Sequence, residues 1–217
     1  MSSMNREQDD KRERVLTAAQ ACFTLYGFKR TAMDDIAQKA AISRAALYLL
    51  FPNKEAIFRT LSGELHNAAL ARAEAALRAE GTVAERLVAA FEGKDLELME
   101  LVQSSAHGDE LVDLKYTIGA DIAAHAESRF TELLAQALHR AELHGEISFD
   151  RIGLDADQCA ELLMLTAYGV KRPPCSLAQY RQRLAQLIQV FCAALTNSGG
   201  NHGGPEARPE HSPYAGS

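Results

Sequence analysis

Apolar residues recur every three or four positions from Val15 to Leu195, and no Val-, Ile- or Thr-rich stretch alternates apolar with polar. This is the period of a helix face, and it predicts an all-α chain without a sheet. Val15, Ala19, Cys22, Phe23 and Tyr26 mark a first helix over 11–26, closed by Gly27. Asn53 caps a long helix over 54–79, which carries Ile57, Leu61, Leu65, Ala68 and Leu77 and stops at Gly81. Thr82 opens a helix that runs to about residue 91, and a short helix follows over 95–105. His107-Gly108 interrupts the pattern, and a helical stretch over 109–143 follows, with a kink or break near Gly119 and an end at Gly145. Beyond a loop over 146–153, a helix over 155–170 is apolar nearly all round, through Leu162, Leu163, Leu165 and Tyr168. Lys171-Arg172-Pro173-Pro174 stops it, and Ser176 caps a last helix that ends near residue 196. Residues 1–10 are polar and 198–217 are rich in Gly, Pro, Asn, His and Ser, so both are predicted disordered.

The stretch 31–51, TAMDDIAQKAAISRAALYLLF, has a different grammar: two short helices around a tight turn. Thr31 is placed as an N-cap with Asp34 three residues on, and Met33, Ile36, Ala37 and Ala40 form one apolar face. Ala41 and Ile42 make the turn, and Ser43 caps the second helix. Ile42 and Leu47 stand at the spacing of a hydrophobic staple, and Leu47 and Phe51 face inward. Arg44, Ala45, Tyr48 and Leu49 are left outside. Such a pair is a helix-turn-helix, whose second helix enters the major groove of DNA.

Charge strengthens this picture. Residues 1–60 hold 10 Lys and Arg against 7 Asp and Glu, while 61–217 hold 13 against 22, within a chain of net charge −6. One basic end on an acidic body suits a protein that presents that end to phosphates. No run is long and apolar enough to cross a membrane, and MSSMNREQDDKRER is too charged for a signal peptide, so a cytoplasmic location is expected. Cys22, Cys159, Cys175 and Cys192 lack zinc or CxxC spacing.

From Ala18 to Phe58 the run AAQACFTLYGFKRTAMDDIAQKAAISRAALYLLFPNKEAIF resembles the TetR family of bacterial transcriptional regulators. The shared pattern is a Tyr-Gly-Phe corner, a Thr, Asp-Ile-Ala, a Ser-capped recognition helix with Leu-Tyr, a Phe and Lys-Glu-Ala. Ala41 stands where a Gly is usual; if that position is left-handed, Ala costs on the order of 1 kcal/mol. Leu49 and Leu50 replace an aromatic and a His or Tyr that commonly touch phosphates.

The resemblance implies an N-terminal three-helix DNA-binding domain, placed at 11–53. It also implies a larger helical ligand-binding and dimerisation domain at 54–197, with the helix from Lys54 as linker. The expected partners are a pseudo-palindromic double-stranded DNA operator, a second copy of the chain and a small-molecule effector that releases a repressor. For DNA, Arg44 and Ala45 are placed at base edges, Thr31, Tyr48, Lys54 and Arg30 at phosphates, and Ser43 at the start of the recognition helix between them. For the effector, the candidates are Met99, Val102, His107, Tyr116, Phe130, Met164 and Tyr168, an apolar set with polar handles. For the dimer, Leu177, Tyr180, Leu184, Leu187 and Phe191 form a near-heptad seam, joined by Leu162. The chain has no P-loop, GxSxG, HExxH or GxGxxG, and neither an enzyme, a metal nor a cofactor is expected. The alternative of another class is a helical adaptor that keeps a degenerate helix-turn-helix, for which Leu49 and Leu50 speak.

Overall fold

The computed structural model describes residues 2–196, so the expected disorder of 198–217 lies outside the described residues. Among the described residues the chain is all-helical, with α1 Ser2–Tyr26, α2 Met33–Lys39, α3 Arg44–Leu50, α4 Lys54–Leu77 and α5 Val83–Ser104. Then follow α6 Gly108–Tyr116, α7 Ala120–Leu143, α8 Ala156–Val170 and α9 Leu177–Leu195. Thr82, Asp155 and Ser176 close capping boxes with Glu85, Gln158 and Gln179, so α5, α8 and α9 start where their sequences say.

Two expectations are corrected. α1 begins at Ser2 instead of residue 11, because no Gly or Pro interrupts 2–26 and Glu7 meets Lys11 one turn on at 2.7 Å. The two helices expected over 82–105 are one helix, α5. Gly93 is not a break in it: a Cβ there would lie 3.2–3.4 Å from Arg72 and the Ala73 nitrogen, so glycine is what lets α4 approach closely.

Two cores form. One joins α1, α2 and α3 with Ile57, Phe58 and Leu61 of α4 and Leu114 of α6. The other joins Ala73 and Leu77 of α4 with the buried faces of α5, α7, α8 and α9. The division of packing therefore falls inside α4 rather than at residue 53, and α6 belongs in part to the N-terminal core.

Asp95 is the one buried carboxylate of the described residues. Tyr180 donates its hydroxyl to one Asp95 oxygen at 2.6 Å, and the other accepts from Lys171 at 2.8 Å and Lys94 at 3.2 Å. Burial alone would push the Asp95 carboxyl up; the two ammonium groups and the Tyr180 hydroxyl outweigh it and hold it below the usual range. Asp95→Ala leaves two ammonium groups without their carboxylate and is expected to cost about 3–5 kcal/mol, read by urea unfolding. Because the folded-state pKa lies below the unfolded value of about 3.9, the wild-type contribution is full at neutral pH. It fades as the pH falls below about 4, and an Asp95→Ala protein should lack that part of the acid dependence.

The helix-turn-helix corner stores a smaller cost. Ala41 has φ 53°, the left-handed conformation, and Arg14 donates its guanidinium to the Ala40 and Ala41 carbonyls. Ala41→Gly should stabilise the protein by about 1 kcal/mol in thermal or urea unfolding.

Candidate nucleic-acid interface

α2 and α3 are held by a few contacts that the local sequence makes inevitable. The Ser43 hydroxyl accepts from the Ala46 amide at 3.1 Å, and Ile42 donates its amide to the Ala37 carbonyl at 3.1 Å. Ile36, Ala37, Ala40, Leu47 and Phe51 are buried, with Ile42 and Met33 against the same core. What remains outside on α3 is Arg44, Ala45, Tyr48 and Leu49, with Ser43 at its start. Arg44 bonds Asp34 of α2 at 2.5 Å, and its guanidinium lies 5.5 Å from the Tyr48 ring centre. A carboxylate thus occupies the guanidinium in the DNA-free protein. Arg30 is exposed at the loop before α2.

Two residues placed at phosphates do other work. Thr31 is buried and donates its hydroxyl to the Gly27 carbonyl at 2.7 Å. It does not cap α2 either: Ala32 is the N-cap, and its amide donates to Asp35 at 2.7 Å. Lys54 donates to the Phe28, Lys29 and Thr31 carbonyls at 2.9, 3.2 and 3.1 Å, and its ammonium lies 4.6 Å from the centre of the Phe28 ring. Three N–H groups meet three carbonyls, so Lys54 ties the α1–α2 loop to α4 and has no donor left for a phosphate. Reading the sequence missed Arg14, Asp34 and the Glu110 carboxylate that accepts from the Lys29 amide at 2.9 Å. These are contacts across 10 to 81 positions, and no periodicity encodes them.

The effector candidates separate. Tyr116 of α6 and Tyr168 of α8 are brought together, hydroxyl to hydroxyl, and that bond pushes the Tyr168 pKa up to about 12. Met99 and Met164 are half-buried against the body core, and Val102 is half-buried near the end of α5. Phe130 is corrected to core: it is fully buried and packs edge-on against Phe91 at 5.0 Å. His107 sits against Gly27 of the N-terminal core, where it precedes α6. Open recesses of about 870 Å³, along α7 and the loop before α8, and about 480 Å³, between α5 and α9, take none of the seven. The polar centre of Asp95, Lys94, Lys171 and Tyr180 was missed. Its signal was present: Leu87, Phe91 and Asp95 stand one turn apart on the buried face of α5, and the expected break at residue 91 hid that spacing.

The expected dimer seam also divides. Tyr180 and Leu184 are fully buried in the protomer, with Ile188, Cys192 and Leu195, because α9 turns this face to the core it shares with α5. Leu177, Leu187 and Phe191 are half-buried. The apolar side chains left outside are Leu162, Leu165 (71 % exposed) and Tyr168 on α8 and Val190 (72 %) on α9.

Among the described residues no group of His, Cys, Asp and Glu is arranged to hold a metal, and no helix is long and apolar enough to cross a membrane. Residues 15–61 match the model of the bacterial regulatory proteins, tetR family. The transcriptional regulator UidR of Escherichia coli K12 is 28% identical over 177 residues, which cover 78% of this chain and 84% of UidR. SmeT, the repressor of the Stenotrophomonas maltophilia multidrug efflux pump SmeDEF, superimposes with TM-score 0.65 at 23% identity, over 94% of this chain and 100% of SmeT. SmeT in complex with triclosan superimposes with TM-score 0.66 at 23% identity, over 94% of this chain and 99% of that one. A transcriptional regulator from Cytophaga hutchinsonii gives TM-score 0.71 at 19% identity, over 85% of this chain and 98% of its own. With a capped recognition helix that leaves Arg44 and Tyr48 outside its core, residues 15–61 form a helix-turn-helix segment of the kind that defines the bacterial regulatory proteins of the tetR family.

Proposed function

We propose that the protein is a homodimeric repressor that leaves its operator when a small molecule binds the body. The observation that carries this is α3, which puts Leu47 in the core and keeps Ser43, Arg44, Ala45 and Tyr48 outside at the basic end of an acidic chain. Two copies reading successive major grooves must hold their recognition helices about 34–36 Å apart. The exposed apolar residues of α8 and α9 supply the surface that joins the copies. A structural neighbour supports the rest: SmeT is a repressor, and it is known in complex with triclosan.

Release acts through α4 and α6. Leu114 of α6 is buried in the N-terminal core, Ser105 donates its hydroxyl to the Thr24 carbonyl at 2.9 Å, and Glu110 holds the Lys29 amide. At its far end α6 carries Tyr116 to Tyr168 and Lys115 to Glu127. A ligand that moves α6 therefore moves what the DNA-binding end rests on. Its effect on DNA equals its preference for the wrongly spaced state, typically about 1–3 kcal/mol.

Fluorescence anisotropy on DNA upstream of the chain's own gene, against random DNA, tests the reading. Wild-type protein should prefer the upstream DNA, and equal affinity for both would remove the proposal. Arg44→Ala should lose about 1–3 kcal/mol on the operator and far less on random DNA. Lys54→Met should lower the melting temperature while the slope of log K against log salt stays as in wild type, since Lys54 releases no counterion. A slope shallower by about one unit per subunit would return Lys54 to the phosphates. Leu165→Glu with Val190→Glu should sediment as a folded monomer and fail to hold the operator; a dimer of that variant would place the interface elsewhere.

A further inference from the structure

Asp95 has more partners than its charge requires. It is 6% exposed, and one oxygen serves two ammonium groups, those of Lys171 at 2.8 Å and Lys94 at 3.2 Å. Those lysines have little water of their own, Lys94 being 15% exposed and Lys171 26%. Lys94 lies 5.2 Å from the Phe130 ring centre and Lys171 5.7 Å from that of Tyr180, so aromatic faces replace part of the lost hydration. Lys115 pairs with Glu127 at 3.2 Å and acts on the same region. Burial, and after it Lys115 and Lys94, hold His66 of α4 below its usual pKa, which leaves that ring neutral at neutral pH. Burial likewise draws the Lys171 ammonium below the ordinary lysine range, against the pull of Asp95. α4, α5, α6, α7 and the end of α8 thus bring three ammonium groups and a neutral imidazole around two carboxylates.

A centre built only to hold the fold has no need of Lys94. Lys171 and Tyr180 already supply one charge and one hydroxyl to Asp95, and a further half-dehydrated cation is a cost. Such an excess has a use if a second anion arrives. We propose that the effector is a small organic carboxylate, whose acid group takes the Lys94 ammonium while Lys171 and Tyr180 keep Asp95. Met99, one turn beyond Asp95 on α5, and Met164, one turn before Tyr168 on α8, are half-buried against the same core and receive the apolar part of the ligand. The bound state then holds as many carboxylates as ammonium groups. A neutral analogue of the same shape brings no charge to the excess and binds weakly. This proposal rests on the reading of the protein as an effector-controlled regulator and names the class of that effector.

The test uses the full chain without DNA and two matched pairs, benzoate with benzamide and hexanoate with hexanamide, at constant ionic strength. The acids should raise the melting temperature by several degrees and saturate, and the amides should not. Lys94→Met keeps the apolar stem and removes the excess charge. Its ligand-free melting temperature should equal or exceed that of wild type, and its response to the acids should vanish. Equal shifts by acids and amides, no shift by either acid, a response retained in Lys94→Met, or a lower ligand-free melting temperature in that variant would each overturn the proposal. Operator binding is measured in parallel without acid. Its absence would sink the regulator reading while leaving an acid-dependent melting temperature in place, so the two failures are distinct.

Discussion

Helix α4 is a single rod buried in two cores. Ile57, Phe58 and Leu61 pack with α1, α2 and α3, while Ala69, Ala73 and Leu77 are buried further along it. At about 1.5 Å per residue its 24 residues span roughly 36 Å, so one element reaches from the helix-turn-helix into the body. Its apolar residues do not keep to one stripe, because each half faces a different neighbour. Neither core can turn relative to the other without displacing buried side chains at one end of this rod, and packed interiors resist that.

Two further ties make the rod a lever with a fulcrum. Arg59 donates both terminal nitrogens to Asp121 at 2.7 Å and one of them also to the Ile118 carbonyl at 2.6 Å, which fixes α4 to the α6–α7 junction. That bidentate pair holds the Asp121 carboxyl down to about 2. Further along, Gly93 lets α5 close on Arg72 and Ala73, so the far half of α4 is clamped as well. Between these points α6 rests on the N-terminal core through Leu114. The recognition helix is then set by packing and not by the loop before it, and Asp95 and Lys94 of the polar centre lie on α5, which packs along the same rod.

Much of this was legible in the sequence, and the reasons divide cleanly. Caps and periodicity are local, so the starts of α3, α4, α5 and α9 followed from Ser43, Asn53, Thr82 and Ser176. The outward face of α3 followed from the inward spacing of Leu47 and Phe51. The break expected between residues 91 and 95 spans Gly93, and a glycine reads alike whether it ends a helix or admits a neighbour. Thr31 and Lys54 misled for a related reason: a hydroxyl and an ammonium near a helix start suit a phosphate and a carbonyl equally well, and only the fold of 27–31 decides. Tyr180 and Leu184 fit a heptad seam, yet α9 is apolar over more than one face, and periodicity does not say which face the protomer keeps for itself.

The central claim is that the DNA-binding end and the body are mechanically continuous through α4 and α6. Hydrogen exchange followed by mass spectrometry, with and without operator DNA, tests it most directly. The account predicts slower exchange not only over 33–50 but also over 105–121 and the second half of α4, none of which carries the proposed DNA contacts. Protection confined to 12–53, with 105–121 exchanging as in the free protein, would contradict it.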